Sequence, residues 1–193
     1  MRMTGDLGMT AGEVHRAAAQ VLHFWLETVP PDKRFAKDPA LDEEIASRFS
    51  ALRVAVVADP APWRADTDTL LAAIILIDQF SRNIFRGGAE AFAADPLARD
   101  LARHGIAMGW DVAMDSVHRQ FLYLPFMHSE DAEDQALSVR LYTAIGDPEL
   151  IRFATLHAEQ IARFGRYPGR NAALGRADSE EEAAFLSQPG ARF

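Results

Sequence analysis

The sequence contains no cysteine. That absence excludes disulfides, thiolate metal sites and a cysteine nucleophile, and it fits a reducing compartment. Long apolar runs are missing too. The longest are Leu70 to Ile77 and Phe121 to Met127, the second with Pro125 inside it, and both fall far short of the ~20 residues that span a bilayer. The opening Met1-Arg2-Met3-Thr4-Gly5-Asp6 has no apolar stretch of the kind that marks a secretion signal. A soluble, cytoplasmic protein without membrane contact is therefore expected. Basic charge is in deficit: 20 Lys and Arg against 28 Asp and Glu leave a net charge of −8. This argues against a nucleic-acid partner, because phosphate neutralisation needs a basic face. There are no alternating β-branched runs and no Asn-Gly or Asp-Gly hairpin turns. Also missing are a phosphate-cradling glycine loop, a dinucleotide fingerprint, a nucleophile elbow and a His-Glu-x-x-His pair, so no cofactor is assigned.

What is present reads as all-α. At 193 residues, 49% of them hydrophobic, the chain fits one domain able to bury a sizeable core. Residues 1–9 are expected to form a flexible tail and residues 10–193 a single helical domain. Thr10 and Glu13 make a capping box ahead of the stripe Val14, Ala17, Ala18, Val21 and Trp25. Asp38-Pro39, Asp95-Pro96 and Asp147-Pro148 each place an N-cap aspartate before a proline at the first helical position. The stripe after the first pair is Leu41, Ile45, Phe49, Leu52 and Val56, and after the second it is Leu97, Leu101, Gly105 and Met108. A helix from Thr67 runs to a stop at Gly87-Gly88. Another starts at Asp115 or Ser116, Ser129 caps the next, which Gly146 closes, Gly165 closes the helix from Asp147-Pro148, and Ser179 with Glu182 boxes a short last helix.

Three stretches carry chemistry. In Asp78-Gln79-Phe80-Ser81-Arg82-Asn83-Ile84-Phe85-Arg86-Gly87, the residues Gln79, Arg82, Asn83 and Arg86 recur at spacings of three and four. On a helix they share one face. Two planar guanidinium forks beside amide side chains suit an anion. The same face equally suits pairing with acids on neighbouring helices. Asp78, four residues before Arg82, is placed to hold its guanidinium.

The second stretch is Phe121 to Asp131. It is apolar without periodicity, hence buried all round, and Pro125 is expected to break or kink it. His128 follows, beside Glu130 and Asp131, as a candidate general base or metal ligand. No second ligand motif accompanies it, so no metal site is assigned.

The third stretch begins at His157, which lies on the apolar stripe Leu150, Phe153, Ile161 and Phe164 and so reads as a core residue or a catalyst. From Arg163 to Arg176 come four arginines and no acid. These arginines either neutralise the acids at Glu130 to Asp134 or converge with Arg82 and Arg86 on a bound anion. Arg166, Arg170 and Asn171 are the candidates there.

Together these motifs resemble an uncharacterised bacterial family, number 924 among the domains of unknown function. The residues that carry the likeness are Asp78-Gln79-Phe80-x-Arg82-Asn83-x-Phe85-Arg86-Gly87, Phe121-Leu122-Tyr123-Leu124-Pro125-Phe126-x-His128-Ser129-Glu130-Asp131, and His157 through Ile161, Phe164-Gly165-Arg166-Tyr167-Pro168 to Arg170-Asn171. The resemblance covers nearly the whole chain, from Val21 to Gly190. It implies about eight helices in antiparallel pairs, a right-handed tetratricopeptide-like array without recognisable repeats. It implies no established activity. Gly169 departs from the pattern, since relatives often carry a histidine there.

Two functions follow as expectations. One is a pocket for a small anionic metabolite, phosphate or carboxylate, with His128 or His157 moving a proton, Glu130 or Asp131 tuning it, and hydrolysis as the default chemistry. The other is a scaffold for a peptide or protein partner with the polar seam purely structural. The stripes give no oligomeric state.

Overall fold

The structure, a computed structural model, describes residues 9–189 and is helical throughout, with no strand among them. The tail expected at the N-terminus falls outside the described residues except for Met9, which packs against the core. Helix α1 (Ala11–Leu22) starts at the Thr10–Glu13 box, where Glu13 Oε2 accepts from the Thr10 backbone N–H at 2.8 Å. It buries Val14, Ala17, Ala18 and Val21 and continues as a wide π turn, His23–Thr28, that seats Phe24 and Trp25 in the core. Helix α2 (Pro39–Ala58) is capped by Asp38 as its sequence dictates.

The centre of the molecule is a rod over 67–84. Helix α3 (Thr67–Ile74) passes through a second π turn, Ile75–Gln79, into α4 (Phe80–Ile84). Leu70 to Ile77 are at most 1% exposed, so the rod is walled in on every side. α1 packs on its first half and α2 on its last. Phe80 sits where those helices meet, its ring centroid 5.0 Å from Phe49, 5.2 Å from Trp25 and 6.1 Å from Phe24.

Helices α5 (Asp95–Ala107) and α6 (Ser116–Met127) cover the other side of α3, and α7 (Ala132–Ile145), α8 (Pro148–Phe164) and the short α9 (Glu180–Leu186) follow. α6 packs on α7 and α7 on α8. Gly105 of α5 lets Leu70 and Leu122 approach where a methyl group would stand 2.6 Å from a Leu70 carbon. Gly146 and Gly165 end α7 and α8 in the left-handed region, at φ 85° and 68°, where glycine alone is unstrained.

Four expectations need correction. Pro125 does not break α6, which runs on to Met127. The cap of α7 is Asp131, not Ser129, because Asp131 Oδ1 takes the Glu133 and Asp134 N–H groups while the Ser129 hydroxyl turns to Asp134 at 2.7 Å. Met108 is 56% exposed and lies off the buried face of α5. Asp95 is not a cap: the N-cap is Ala94, and the Asp95 carboxylate points elsewhere. Asp147, by contrast, caps α8 through the Glu149 and Leu150 N–H groups at 2.8 and 3.2 Å. Asp147→Ala is therefore expected to cost about 1 kcal/mol in urea unfolding.

Candidate functional site

The π turn brings the polar end of the rod inside. One extra residue per turn widens the backbone there, a distortion frequent at functional positions. Asp78 and Gln79 become buried along with the apolar wall that precedes them. A carboxylate in such a place must be paired, and Asp78 is surrounded by donors. Gln79 Nε2 donates to Oδ2 at 2.6 Å, His128 Nδ1 stands 2.8 Å from Oδ1, and Arg82 Nη1 lies 3.3 Å from Oδ1. Arg82 also donates to the Asp78 carbonyl. Burial alone would push the Asp78 carboxyl up, but the Arg82 guanidinium and His128 outweigh it and hold it well below the usual carboxylate range.

The Asp95 carboxylate, freed from capping, accepts from Arg82 at 3.1 and 3.2 Å and stands 3.5 Å from Arg170 Nη1. Both guanidinium groups lie over the Phe92 ring, Arg170 at 4.7 Å and Arg82 at 5.6 Å, and Arg170 also stacks on Tyr167 at 4.5 Å. Arg82 is therefore fully engaged. Arg170 is different: among the described residues it has that one ion pair and two ring faces but no hydrogen bond, and its nitrogens still reach solvent. Burial, and then Arg82 nearby, lower its pKa.

A cleft of about 430 Å³ opens beside this cluster, between the start of α5 and the segment that joins α6 to α7. Arg170, His128 and Arg99 share its wall with Phe92, Pro96 and Leu174. With Nδ1 committed to Asp78, the ring nitrogen left to His128 is Nε2, which has no hydrogen-bond partner among the described residues. Burial and the Arg82 charge push the His128 pKa down. The ring is thus neutral at pH 7, and an Nδ1–H donated to Asp78 leaves Nε2 with its lone pair.

His157, 6.4 Å from His128 and 5.7 Å from Tyr167 between ring centroids, stands behind it. Its Nδ1 is 2.8 Å from the Phe153 carbonyl, and burial drives its pKa down to about 3. Gln135 Nε2 and the Tyr167 hydroxyl fasten the α6 terminus beneath them, on the Met127 carbonyl at 2.9 and 2.5 Å. Among the described residues no cluster of three or more His, Asp and Glu is placed to hold a metal ion.

Of the residues singled out by sequence, Gln79, Arg82, His128, His157 and Arg170 come together, and Glu130 and Asp131 lie on the cleft rim. The common face expected for Gln79, Arg82, Asn83 and Arg86 is split. Asn83 and Arg86 turn to Asp42 of α2, at 2.8 Å and at 2.6 Å. Asn83 faces α2 from within α4, and Arg86 lies beyond the end of α4 at Ile84, after Phe85 at φ −113°, ψ 32°.

Of the arginines after Gly165, Arg170 joins Arg82 at Asp95, whereas Arg166 and Arg176 turn away. Arg166 holds Glu182 at 2.7 and 2.8 Å, Arg176 holds Glu130 at 2.7 and 2.9 Å, and Asn171 donates to Asp178 at 2.7 Å. Glu130 is consumed by Arg176 and by the Tyr167 N–H, so the carboxylate that tunes His128 is Asp78, fifty residues away in sequence. Asp95, Phe92 and Arg99 went unread. Asp95 carried a local signal, but it was that of a helix cap. Gly169 is exposed, one residue before Arg170.

Among the described residues, no helix is long and apolar enough to cross a membrane. A family model described as "Bacterial protein of unknown function (DUF924)" matches residues 21–190. A solved structure of a protein of unknown function from Agrobacterium tumefaciens is similar to this chain at 36% identity and a TM-score of 0.86, over 90% of this chain and 98% of the other. No curated protein matches the chain.

Proposed function

The chain belongs to the DUF924 family of bacterial proteins, and we propose that it binds a small organic anion, carboxylate or phosphate, in the cleft beside Arg170 and His128, with hydrolytic chemistry as the reaction suited to that site. The observation that carries this reading is Arg170. Its guanidinium is held in place by two aromatic faces and an ion pair with Asp95 at 3.5 Å, yet among the described residues its donors make no hydrogen bond. A planar fork kept in that condition suits a bidentate oxyanion.

His128 supplies the chemistry. It lines the same cleft, and its Nε2 can take a proton from a water molecule as that water attacks a bound ester or anhydride. Asp78 behind Nδ1 would stabilise the imidazolium that results. His157 is not among the cleft-lining residues; its ring stands 6.4 Å from that of His128.

A thermal-shift screen with carboxylated and phosphorylated metabolites tests the reading. A ligand at about a hundred times its dissociation constant adds about 2.7 kcal/mol to the folded state, roughly 5–10 °C for a chain of this size. The shift is expected to vanish in Arg170→Gln. In His128→Gln binding should survive while turnover is lost. A flat screen with the wild-type protein would defeat the proposal. The cleft opens at the surface between the start of α5 and the segment joining α6 to α7, which favours a second reading, a tetratricopeptide-like scaffold gripping the terminal carboxylate of a peptide. Binding of C-terminal peptides but of no free metabolite would select it.

A further inference from the structure

Building on the anion-cleft reading, we infer that the preferred ligand is an apolar monocarboxylate, a single carboxylate carried on a compact hydrocarbon or aromatic group. Two independent features of the cleft point there. The first is charge. Asp78 and Asp95 are matched by Arg82 and Arg170, Glu130 by Arg176, and Asp134 by Arg103 together with Arg99. Asp131 stands exposed on the rim, where it caps α7 and forms no ion pair among the described residues. His128 adds no positive charge while it is neutral. The cleft therefore presents donors without a surplus of positive charge. A doubly charged phosphate would bring two charges to a place with none spare, and charge taken from water without a partner is costly. A carboxylate brings one, and its two oxygens match the planar fork of Arg170.

The second feature is the apolar part of the lining. Phe92, Ala93, Pro96 and Leu174 line the same cleft as Arg170 and His128. Phe92 is only half-buried although two guanidinium groups stack on it. An anion made of charge alone, such as acetate or inorganic phosphate, would leave this wall against water. A ligand with an apolar group next to its carboxylate would cover it. At about 430 Å³ the cleft lies at the small end of ligand sites, which suits a group of ring size more than a long chain.

The test is calorimetric titration of the wild-type protein at pH 7 with phenylacetate, acetate, inorganic phosphate, phenyl phosphate and phenylacetamide. Phenylacetate is expected to bind at least about tenfold more tightly than acetate or either phosphate, with the neutral amide silent. That preference is expected to disappear in Arg170→Gln and to persist in Arg166→Gln, whose side chain lies outside the cleft. Tighter binding of either phosphate would overturn the carboxylate assignment and leave the anion cleft standing. Equal binding of acetate and phenylacetate would overturn the apolar group, and equal binding of phenylacetamide would overturn recognition of the charge. Silence from every anion would remove the anion cleft itself. The wild-type panel decides among these outcomes even if a variant fails to fold.

Discussion

Replacing Asp78 with alanine is expected to destabilise the protein by about 3–5 kcal/mol, the range for breaking a buried ion pair by removing one partner. The carboxylate is 1% exposed and receives Gln79, His128 and Arg82 together. Without it, His128 Nδ1 and the Gln79 amide lose their acceptor in a place closed to water. Arg82 keeps Asp95, which sets the loss toward the lower end. Asp78→Asn keeps the shape and an acceptor for Nδ1 but not the charge, and should fall between wild type and alanine. Urea unfolding at pH 7 measures both. A loss under about 1 kcal/mol for the alanine variant would mean that the network contributes little to folding, as exposed pairs do.

Acid should begin to destabilise the protein before its carboxylates protonate. His128 and His157 are both buried neutral, His128 shifted down and His157 down to about 3 from an ordinary 6.5. In the unfolded chain each takes up a proton near 6.5, so below that pH the unfolded state binds more protons than the folded one. Stability is thus complete above pH 6.5 and falls as pH drops, down to about 3 for His157. For His157 each pH unit in that window costs about 1.4 kcal/mol, or about 3 kcal/mol by pH 4. Asp78 is held below its usual range and contributes no loss until lower pH. His15, exposed and shifted up by the Ala11 carbonyl and Asp66, works in the opposite sense. The informative comparison is therefore with His157→Asn, whose amide can still donate to the Phe153 carbonyl. Its stability should vary with pH less steeply between 6.5 and 4, and an unchanged slope would show that His157 is charged in the folded protein.

Helices were legible wherever the signal was local. The boxes at Thr10 and Ser179, the capping aspartates at 38 and 147, and the glycine stops at 146 and 165 all describe the chain within four residues of themselves. Site composition was partly legible for the same reason. Asp78 and Arg82 are one turn apart, and each motif contributes a group that does meet the others. What could not be read was assignment. Asp95-Pro96 looks like Asp38-Pro39, yet its aspartate serves two arginines, one of them on a segment 75 positions later. Arg82 and Arg86 share a helical spacing that ends before Arg86 is reached. Which acid meets which arginine depends on how six elements pack, and nothing within a turn of either residue records it.

The π turn at Ile75–Gln79 has a consequence for how such a chain tolerates editing. A wide turn of this kind holds one residue more than an α-helix needs over the same rise. Deleting a single residue inside it would let the backbone close to ordinary helix while every helix before and after kept its length. The junction would then be out of step: Phe80 and the apolar wall could not both stay inward while Asp78 faced His128. A one-residue deletion there would change the register between wall and site without removing any of the side chains that form either, an effect no substitution reproduces. The rod must preserve its length across those five positions as well as the Asp78 carboxylate.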